Sequence, residues 1–384
     1  MTGITQLAEA DSAGQVARHV LRFGPVPRGA VARALGLSAG SLTRLGSALL
    51  DAGVLVETDP VTDPVTRRPT RPLDVALDAH RVLGVALAAG SAWGVVTDLR
   101  AGVRGRACVS LTGATPEAVL DAVAALAGEL GVPRPDAVGL AVDGQVDAAG
   151  RVQADVLGRR PPVDLAGPLR EATGAEVVVR DELTCATRTE HWTGLGREYT
   201  GFAVLALGAG VGHGLVVADR VVDSPDAGLQ PLGHLPLEAT GPRCPRGHRG
   251  CVTALLGTPA LLAAAQVATG LPTTWSELLA DAVDGDRRAR QVLDDAAAHL
   301  GRLVALVAGV TGVDQVLLVG EGADLAVVGH DALRAALDDH RDPRARPVEL
   351  TVRDHDPHDW ARGAAGAAAQ AFATGPRWLA GVSR

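Results

Sequence analysis

The sequence predicts an N-terminal winged helix-turn-helix domain followed by a two-lobed α/β body. Two observations predict the first part: three amphipathic segments separated by Pro or Gly breaks lie within residues 14–52, and an extended arm with clustered Arg follows them. The third observation predicts the body, because strand-like and helix-like segments alternate from residue 81 and the pattern restarts near residue 201. We expect domains at residues 1–72, 73–200 and 201–357.

The first helix and a short second helix are separated by a proline-containing break. Apolar residues recur on one face of the first: Val16, Val20 and Phe23. The run Gly24-Pro25-Val26-Pro27 ends this helix, since Pro lacks the N–H that a helix needs. A second helix, residues 28–35, is predicted to bury three apolar residues: Val31, Ala34 and Leu35.

The third helix has the shape of a DNA-recognition helix. Gly36 can adopt positive φ in the turn before it, Ser38 can cap its free N–H groups, and Gly53 suits its end near Ala52. Its inward face carries Leu42, Leu45 and Leu49. The opposite face is small and polar, which allows close approach to base edges. We expect this face to contact DNA through Ser38, Ala39, Gly40, Ser41, Thr43 and Arg44.

An extended arm, Val54-Leu55-Val56, leads to the basic segment Thr66-Arg67-Arg68-Pro69-Thr70-Arg71-Pro72. Proline keeps such a segment extended, and Arg offers a charged planar fork to phosphates or to a minor groove. We expect Arg67, Arg68 and Arg71 to contact DNA. The alternative is a plain three-helix bundle that binds another protein, but a basic arm directly behind a helix-turn-helix favours DNA.

Charge and composition limit the other function classes. The chain has 384 residues and a net charge of −8, and all of its basic residues are Arg. Residues 1–72 contain eight Arg and six acidic residues, so a DNA-binding surface must be local to this positively charged head. The four Cys follow no disulfide pattern, and we find neither a signal peptide nor a bilayer-spanning apolar stretch. We therefore expect a cytoplasmic protein without membrane partners.

The body divides into two α/β halves that open in the same way. Each half begins with two strands joined by a Gly-containing turn, at residues 82–97 and 202–217. Helices and single strands follow in each half, and a final Ala-rich helix lies in the segment 358–384, which we expect to return to the first lobe. Two similar halves predict a duplicated fold with a cleft between the lobes.

Several segments together resemble the ROK family (repressors, open reading frames and kinases), in the branch with an N-terminal winged helix. They occur in the family's order along nearly the whole chain: Leu37 to Arg44, Arg180-Asp181, Leu207 to Gly212, Gly233-His234 and Cys244 to Cys251. The resemblance implies an actin/Hsp70-like body of the sugar-kinase (RNase H-like) type, sugar-type ligands, a structural zinc in the second lobe and homo-oligomers, either dimers or tetramers.

The phosphate-binding parts of the family's kinases are altered here. Where those kinases have Asp-x-Gly-Gly-Thr, this chain has Ala86-Leu87-Ala88-Ala89-Gly90, so a carboxylate that helps to hold Mg²⁺ is missing. Ala209 replaces the usual Thr of the second phosphate turn. Phosphoryl transfer depends on positioning and charge stabilisation of the phosphate, so we expect neither enzymatic activity nor ATP binding.

The family's sugar-binding residues are only partly retained. Its Asn-Asp pair reads Arg180-Asp181, its Glu-x-Gly-His reads Pro231-Leu232-Gly233-His234, and Thr253 stands where a further Glu is expected. We expect Asp181 and His234 to bind the effector. Arg180 suggests an acidic one, such as a sugar phosphate, because a guanidinium can bind an oxyanion bidentately. The alternative is that Arg180 pairs with Asp181 or faces solvent.

The family's zinc site is also only partly retained. The family site uses one His and three Cys; this chain retains His234, Cys244 and Cys251, while Arg246 occupies the middle Cys position. Structural zinc requires four ligands in a tetrahedron, and His248 can supply the fourth if the loop bends. The alternative is a metal-free loop.

These observations predict a DNA-binding transcriptional regulator, a repressor of carbohydrate-related genes, with a non-catalytic body that binds an effector and dimerises. Its expected partners are double-stranded operator DNA, a sugar or sugar-phosphate effector and a second copy of the chain. Two alternatives remain: a sugar kinase of the ROK family, and a ligand-independent DNA-binding protein whose body only dimerises.

Overall fold

The structure, a computed structural model, describes residues 2–62, 67–113, 115–147, 150–154, 157, 161–224, 226–375 and 377–379, with side chains from Ser12 onward. Thr66 of the basic arm and the end of the segment 358–384 lie outside the described residues. No helix among the described residues has the length and apolar character needed to cross a membrane.

Three helices and a long hairpin form the N-terminal head. The helices are α1 (Thr2–Phe23), α2 (Arg28–Leu35) and α3 (Ala39–Asp51). Four short strands follow: β1 (Leu55–Glu57), β2 (Val61–Thr62), β3 (Pro69–Thr70) and β4 (Leu73–Val75). β1 pairs antiparallel with β4, and β2 pairs antiparallel with β3. The basic arm therefore lies in the distal part of a hairpin that begins directly after α3.

The turn before α3 forms as its residues predict. Gly36 has φ 65°, and the Ser38 hydroxyl accepts the N–H of Ser41 at 3.1 Å. Two predictions of inward residues are wrong. Phe23 is 40% exposed because the buried stripe of α1 follows Val16, Ala17, Val20 and Leu21, and this spacing leaves the last residue outside it. Ala34 is also exposed, since α2 has a single fully buried side chain, Val31.

The first lobe is built around a five-stranded sheet. The strands of this lobe are β5 (Val82–Ala88), β6 (Ser91–Thr97), β7 (Val103–Ser110), β8 (Ala137–Val142), β9 (Gly144–Val146), β10 (Arg151–Ala154), β11 (Val163–Asp164) and β12 (Glu176–Asp181). Its helices are α4 (Pro116–Glu129), α5 (Ala166–Thr173) and α6 (Glu182–Trp192). The main sheet has the order β12-β8-β5-β6-β7, and β9, β10 and β11 form a small separate sheet.

The second lobe repeats this topology. Its strands are β13 (Phe202–Leu207), β14 (Val211–Val217), β15 (Arg220–Val221), β16 (Gln315–Val319) and β17 (Glu349–Val352). Its helices are α7 (Val252–Leu256), α8 (Thr258–Thr269), α9 (Trp275–Val283), α10 (Arg287–Thr311), α11 (Leu325–Val328) and α12 (His330–Asp339). The order β15-β14-β13-β16-β17 matches the order of the first sheet. In each sheet the opening strand, β5 or β13, lies in the middle. It pairs antiparallel with the strand that follows it, β6 or β14, and parallel with the strand on its other side, β8 or β16.

The last helix, α13 (His358–Thr374), packs on the sheet of the first lobe and along α6. Its alanines approach the strands at backbone distance. A Cβ atom on Gly84 of β5 would lie 2.0 Å from the carbonyl oxygen of Ala361, and one on Gly139 of β8 would lie 1.9 Å from that of Ala364. The small residues on both sides therefore determine how closely this helix covers the sheet.

Some elements of the body differ from the sequence prediction. The sequence pattern of residues 323–338 predicts a single helix, but the segment is divided into α11 and α12 at Gly329, where a Cβ atom would lie 2.3 Å from the Cβ of Ala297 in α10. The edge strand β7, the small sheet β9–β11 and the helices α7–α9 were not predicted. β7 and β10 alternate between more buried and more exposed residues, whereas the central strands β8 and β13 are buried along their whole length.

The head is attached to both lobes at the end of α1. Arg100, in the turn after β6, donates to the backbone carbonyl of Leu21 at 2.7 Å and pairs with Asp74 of β4. Arg22 pairs with Asp219, in the turn between β14 and β15, through two contacts of 2.8 and 3.0 Å. The apolar core of the head also continues into the sheet of the first lobe and α13. The end of α1 therefore contacts both lobes.

Candidate functional sites

The first candidate site is the outer face of α3. Ser38, Ala39, Gly40, Thr43 and Arg44 are exposed, and Ser41 is half-buried. The hydroxyls of Ser38 and Ser41 lie 2.9 Å apart, and the Thr43 hydroxyl donates to the carbonyl of Ala39 at 2.9 Å. The start of this helix is therefore flat, with small side chains held close to the backbone. Such a surface can approach a base-pair edge or a phosphate without steric hindrance.

The second part of this surface is the hairpin. Arg67 and Arg68 are exposed near its distal end, Arg71 is exposed between β3 and β4, and Arg67 has a positive φ of 57°. At its base, Arg28 of α2 pairs with Glu57 of β1 at 2.7 Å, which links the hairpin to the helices. The structure thus brings the predicted residues of α3 and the basic arm into one small domain.

A cleft between the two lobes holds a cavity of 520 Å³. The segment Ala86 to Ala89 lines one side of this cavity and the glycine-rich turn Gly208 to Gly210 lines the other. Its polar and aromatic lining residues are Asp143, Glu182, Glu321, Gln230, His355, Trp93 and Trp360. No Arg lines it among the described residues, and the sequence contains no Lys. The cavity is therefore acidic and partly aromatic.

A second cavity of 840 Å³ adjoins the first and shares Asp143, Ala209, Gly210 and Gln230 with it. Its other polar lining residues are Gln145, Gln153, His234, Arg246 and Thr253. Amide and hydroxyl groups dominate this end of the cleft. These groups can both donate and accept hydrogen bonds, which suits a polyhydroxylated ligand.

The three predicted effector residues do not meet in one cavity. His234 lines the 840 Å³ cavity, whereas Asp181 and Arg180 line neither. The Asp181 carboxylate is buried and accepts the N–H of Thr184 at 2.9 Å as the cap of α6, and burial raises the pKa of this carboxyl. Arg180 donates to the adjacent carbonyl of Val179 at 2.9 Å. Successive residues of a strand face opposite sides of the sheet, so this adjacent pair cannot act together.

Sequence reasoning missed Glu182 as a cleft residue. It follows directly after the cap of α6, where the chain turns out of the sheet, and its side chain enters the 520 Å³ cavity. Burial and the nearby carboxylates of Asp143 and Asp181 raise the pKa of Glu182 to about 8. Asp143 was a signal in the sequence, because it directly follows β8 and places a second acid at the end of the strand next to β12.

The third candidate site is a cluster of metal-binding side chains in the second lobe. One ligand atom each from His234, Cys244 and Cys251 lies within 4.8 Å of the other two. His248 joins them: its Nδ1 lies 3.7 Å from the sulfur of Cys244, and its ring centroid lies 4.8 Å from that of His234. Arg246 is exposed. Two thiols and two imidazoles are a ligand set suited to zinc, so the donors present fit this metal.

Comparisons with known proteins agree with this architecture. The ROK family profile matches residues 82–371. The chain is 21% identical over 328 residues, 80% of each chain, to the DNA-binding transcriptional repressor Mlc of Escherichia coli (strain K12).

Two solved structures share the fold to different extents. A ROK family transcriptional regulator, a homolog of the E. coli Mlc protein, aligns with a TM-score of 0.81 at 20% identity, over 98% of this chain and 99% of that one. The ROK hexokinase from Thermus thermophilus aligns with a TM-score of 0.64 at 26% identity, over 77% of this chain and 100% of its own. The family match covers about three quarters of the sequence. This chain belongs to the ROK family.

Proposed function

We propose that this protein is a DNA-binding transcriptional regulator, a repressor of carbohydrate-related genes, whose body binds an effector and pairs two chains. The observation that carries this proposal is the N-terminal head. The alignment with a ROK regulator structure extends over 98% of this chain, whereas the alignment with a ROK hexokinase extends over 77%. The relative Mlc, which matches most of both chains, is a DNA-binding transcriptional repressor.

The head acts as a winged helix-turn-helix. α2, the turn at Gly36 and α3 supply the helix-turn-helix, and the hairpin from β1 to β4 supplies the wing. α3 enters the major groove with the small residues of its first turn, and Arg44 lies one turn further along. Arg67, Arg68 and Arg71 reach phosphates or the adjacent minor groove.

The body transmits ligand binding to the head. The end of α1 is held by Arg100 of the first lobe and, through Arg22, by Asp219 of the second. Closure of the cleft changes the distance between these two attachments. Two heads of a dimer engage half-sites about one helical turn apart, so a small displacement of each head weakens simultaneous binding. An effector produces this change only through different affinities for the open and closed states.

The residues that line the cleft support the proposal that the body is non-catalytic. A nucleotide in the 520 Å³ cavity would meet Ala86 and Ala209 in place of polar side chains, and three carboxylates. Acidic side chains disfavour phosphate oxygens nearby, and none of the described lining residues is an Arg. This arrangement disfavours the ATP binding on which a kinase depends.

The function is tested by two measurements on the purified full-length chain. We expect it to retain specific fragments from a pool of genomic DNA, and to bind them with an affinity that falls steeply as salt concentration rises. We also expect no ADP release above background with ATP, Mg²⁺ and a panel of hexoses. Sustained ADP release that depends on one hexose, without selection of any DNA fragment, would establish the kinase alternative instead.

We further propose that His234, Cys244, Cys251 and His248 hold a structural zinc ion. The ion would cross-link the loop of residues 234–251, which adjoins the 840 Å³ cavity through His234 and Arg246. We expect about one zinc ion per chain in dialysed protein, and a clear loss of zinc in His248→Ala, because three ligands hold the metal less firmly than four. Elemental analysis measures both values.

The matched control for the zinc experiment is His330→Ala, since His330 is an exposed histidine of the same lobe. This variant should retain the zinc content of the parent. A zinc content that is unchanged in His248→Ala would show that a different group supplies the fourth ligand. A parent chain without zinc would show that the loop is metal-free.

A further inference from the structure

The turn between β14 and β15 has an uncommon backbone conformation. Its two central residues, Ala218 and Asp219, both have positive φ, of 50° and 61°, and join the paired residues Val217 and Arg220. This tight hairpin turn is favoured by Asn, Asp and Gly, whereas an alanine adopts it only at a cost. Such a turn persists where surrounding contacts hold it in place.

The contacts of Asp219 come from all three parts of the molecule. Its carboxylate accepts hydrogen bonds from Arg22 of α1 at 2.8 and 3.0 Å, and His191 Nε2, near the end of α6, lies 2.8 Å from the same carboxylate. The N–H of Asp219 donates to the carbonyl of Thr200, just before β13, at 2.7 Å. The hydrogen bonds from Arg22 lower the pKa of Asp219, which keeps this carboxylate charged at neutral pH.

Asp219 is the main polar partner of two side chains that have little contact with solvent. The Arg22 side chain is 13% exposed and the His191 side chain is 5% exposed. Within the part of the chain that the structure describes, Arg22 Nε and His191 Nδ1 are buried without a hydrogen-bond partner. The carboxylate of Asp219 therefore offsets the cost of burying a charged group of the head beside a polar group of the first lobe.

The head has a second attachment that does not involve Asp219. Arg100 of the first lobe donates to the carbonyls of Val20 and Leu21, in the last turn of α1, at 2.8 and 2.7 Å. Loss of the Asp219 contact would therefore remove a polar connection between α1 and the second lobe while the connection to the first lobe remains. The head would stay folded and attached, but it would be oriented less firmly.

We propose that Asp219 is a positioning residue for DNA binding. By holding Arg22 and His191 together, it fixes the orientation of the head on the body, so that two paired chains present their heads at one separation. Half-sites on DNA must match this separation, because the two heads of a dimer engage the same face of the duplex about one helical turn, or a multiple of it, apart. This inference rests on the proposed function, since it requires that two chains bind DNA with paired heads.

The test measures how DNA affinity depends on half-site spacing. The half-sites of a fragment that the parent chain selects from genomic DNA are located by footprinting. Their spacing is then changed in steps up to roughly half a helical turn, and a fragment with one half-site serves as the reference. We expect the parent to prefer one spacing.

Asp219→Asn removes the charge of this residue and conserves its size. We expect the ratio between affinity at the preferred spacing and affinity half a turn away to fall at least roughly tenfold, because a head held less firmly discriminates less between separations. Affinity for the single half-site should stay within about twofold of the parent, since α3 and the hairpin are unchanged. A loss of folded structure would lower this reference affinity as well.

Two further variants make the result specific to the contact. Arg22→Gln should relax the spacing preference in the same way, and its combination with Asp219→Asn should produce almost no further change, because both substitutions remove one interaction. Asp331→Asn is the matched control, since Asp331 is an aspartate of the same lobe whose side chain is 96% exposed. This control should retain the spacing profile of the parent.

Four outcomes would overturn the inference: a parent without a spacing preference, an unchanged preference in Asp219→Asn, equal losses at every spacing and on the single half-site, and additive effects of the two substitutions. Equal losses would show that Asp219 only maintains the folded state. A parent that selects DNA and gives any of these results is a regulator whose heads are positioned by other contacts. A parent that selects no DNA overturns the proposed function and this inference with it.

Discussion

Replacement of Arg44, Arg67, Arg68 and Arg71 together by alanine is expected to abolish detectable binding to operator DNA. All four side chains are exposed on the head, on α3 or on the hairpin. An Arg that contacts a base edge contributes roughly 1–3 kcal/mol, and each phosphate contact adds an electrostatic contribution that salt weakens. The combined loss therefore exceeds a thousandfold on an order-of-magnitude estimate.

The measurement is a titration of labelled DNA, selected from a genomic pool, at several salt concentrations. The slope of log affinity against log salt should fall by roughly one for each phosphate contact removed. The control variant replaces four exposed arginines of the body: Arg134, Arg287, Arg288 and Arg344. It changes the net charge equally and should bind almost as the parent does. Equal losses in both variants would indicate a general charge effect and would remove α3 and the hairpin from the interface.

Single variants then separate the roles within the head. Arg44→Ala should reduce binding to the selected sequence more than binding to unrelated DNA, because a base contact carries sequence information. Arg68→Ala should reduce both to the same extent. The opposite pattern would mean that the hairpin reads the bases and that α3 contacts the backbone.

The local features of the head could be predicted because they depend on neighbouring residues. The turn at Gly36 requires a positive φ, and Ser38 lies directly before a free helix N-terminus, so each residue forms its contact within a few positions of its own place in the chain. The opening strand pairs of both lobes were predictable for the same reason, since a tight turn joins the two strands of each pair.

The composition of the cleft could not be predicted in this way. Glu182, Trp93 and Trp360 come from α6, β6 and α13, which are distant in sequence and meet only after the sheets and the last helix have packed. The family pattern pointed instead to Asp181, but the structure uses its carboxylate to cap α6. A position in a family pattern thus does not define which way a side chain points, whereas strand alternation and capping do.

Glu190→Gln is expected to destabilise the protein more than the loss of any exposed ion pair. Glu190 is 4% exposed, and its carboxylate accepts hydrogen bonds from Arg353 at 2.6 and 3.2 Å, from Arg362 at 3.3 Å and from the N–H of Leu195 at 2.9 Å. The substitution leaves two guanidinium groups without their counter-charge in a poorly hydrated place. Removal of one partner from such a cluster costs about 2–4 kcal/mol, since both guanidinium groups retain some contact with water.

The Glu190 cluster lies where the two lobes meet. Arg353 follows β17 of the second lobe, Arg362 lies in α13 on the first, and Glu190 lies in α6 between them. The measurement is the urea midpoint of unfolding, with Asp342→Asn as control, because the Asp342–Arg344 pair is exposed and should contribute less than about 0.5 kcal/mol. Similar midpoints for the two variants would mean that Glu190 does not determine how the lobes are joined at the base of the cleft.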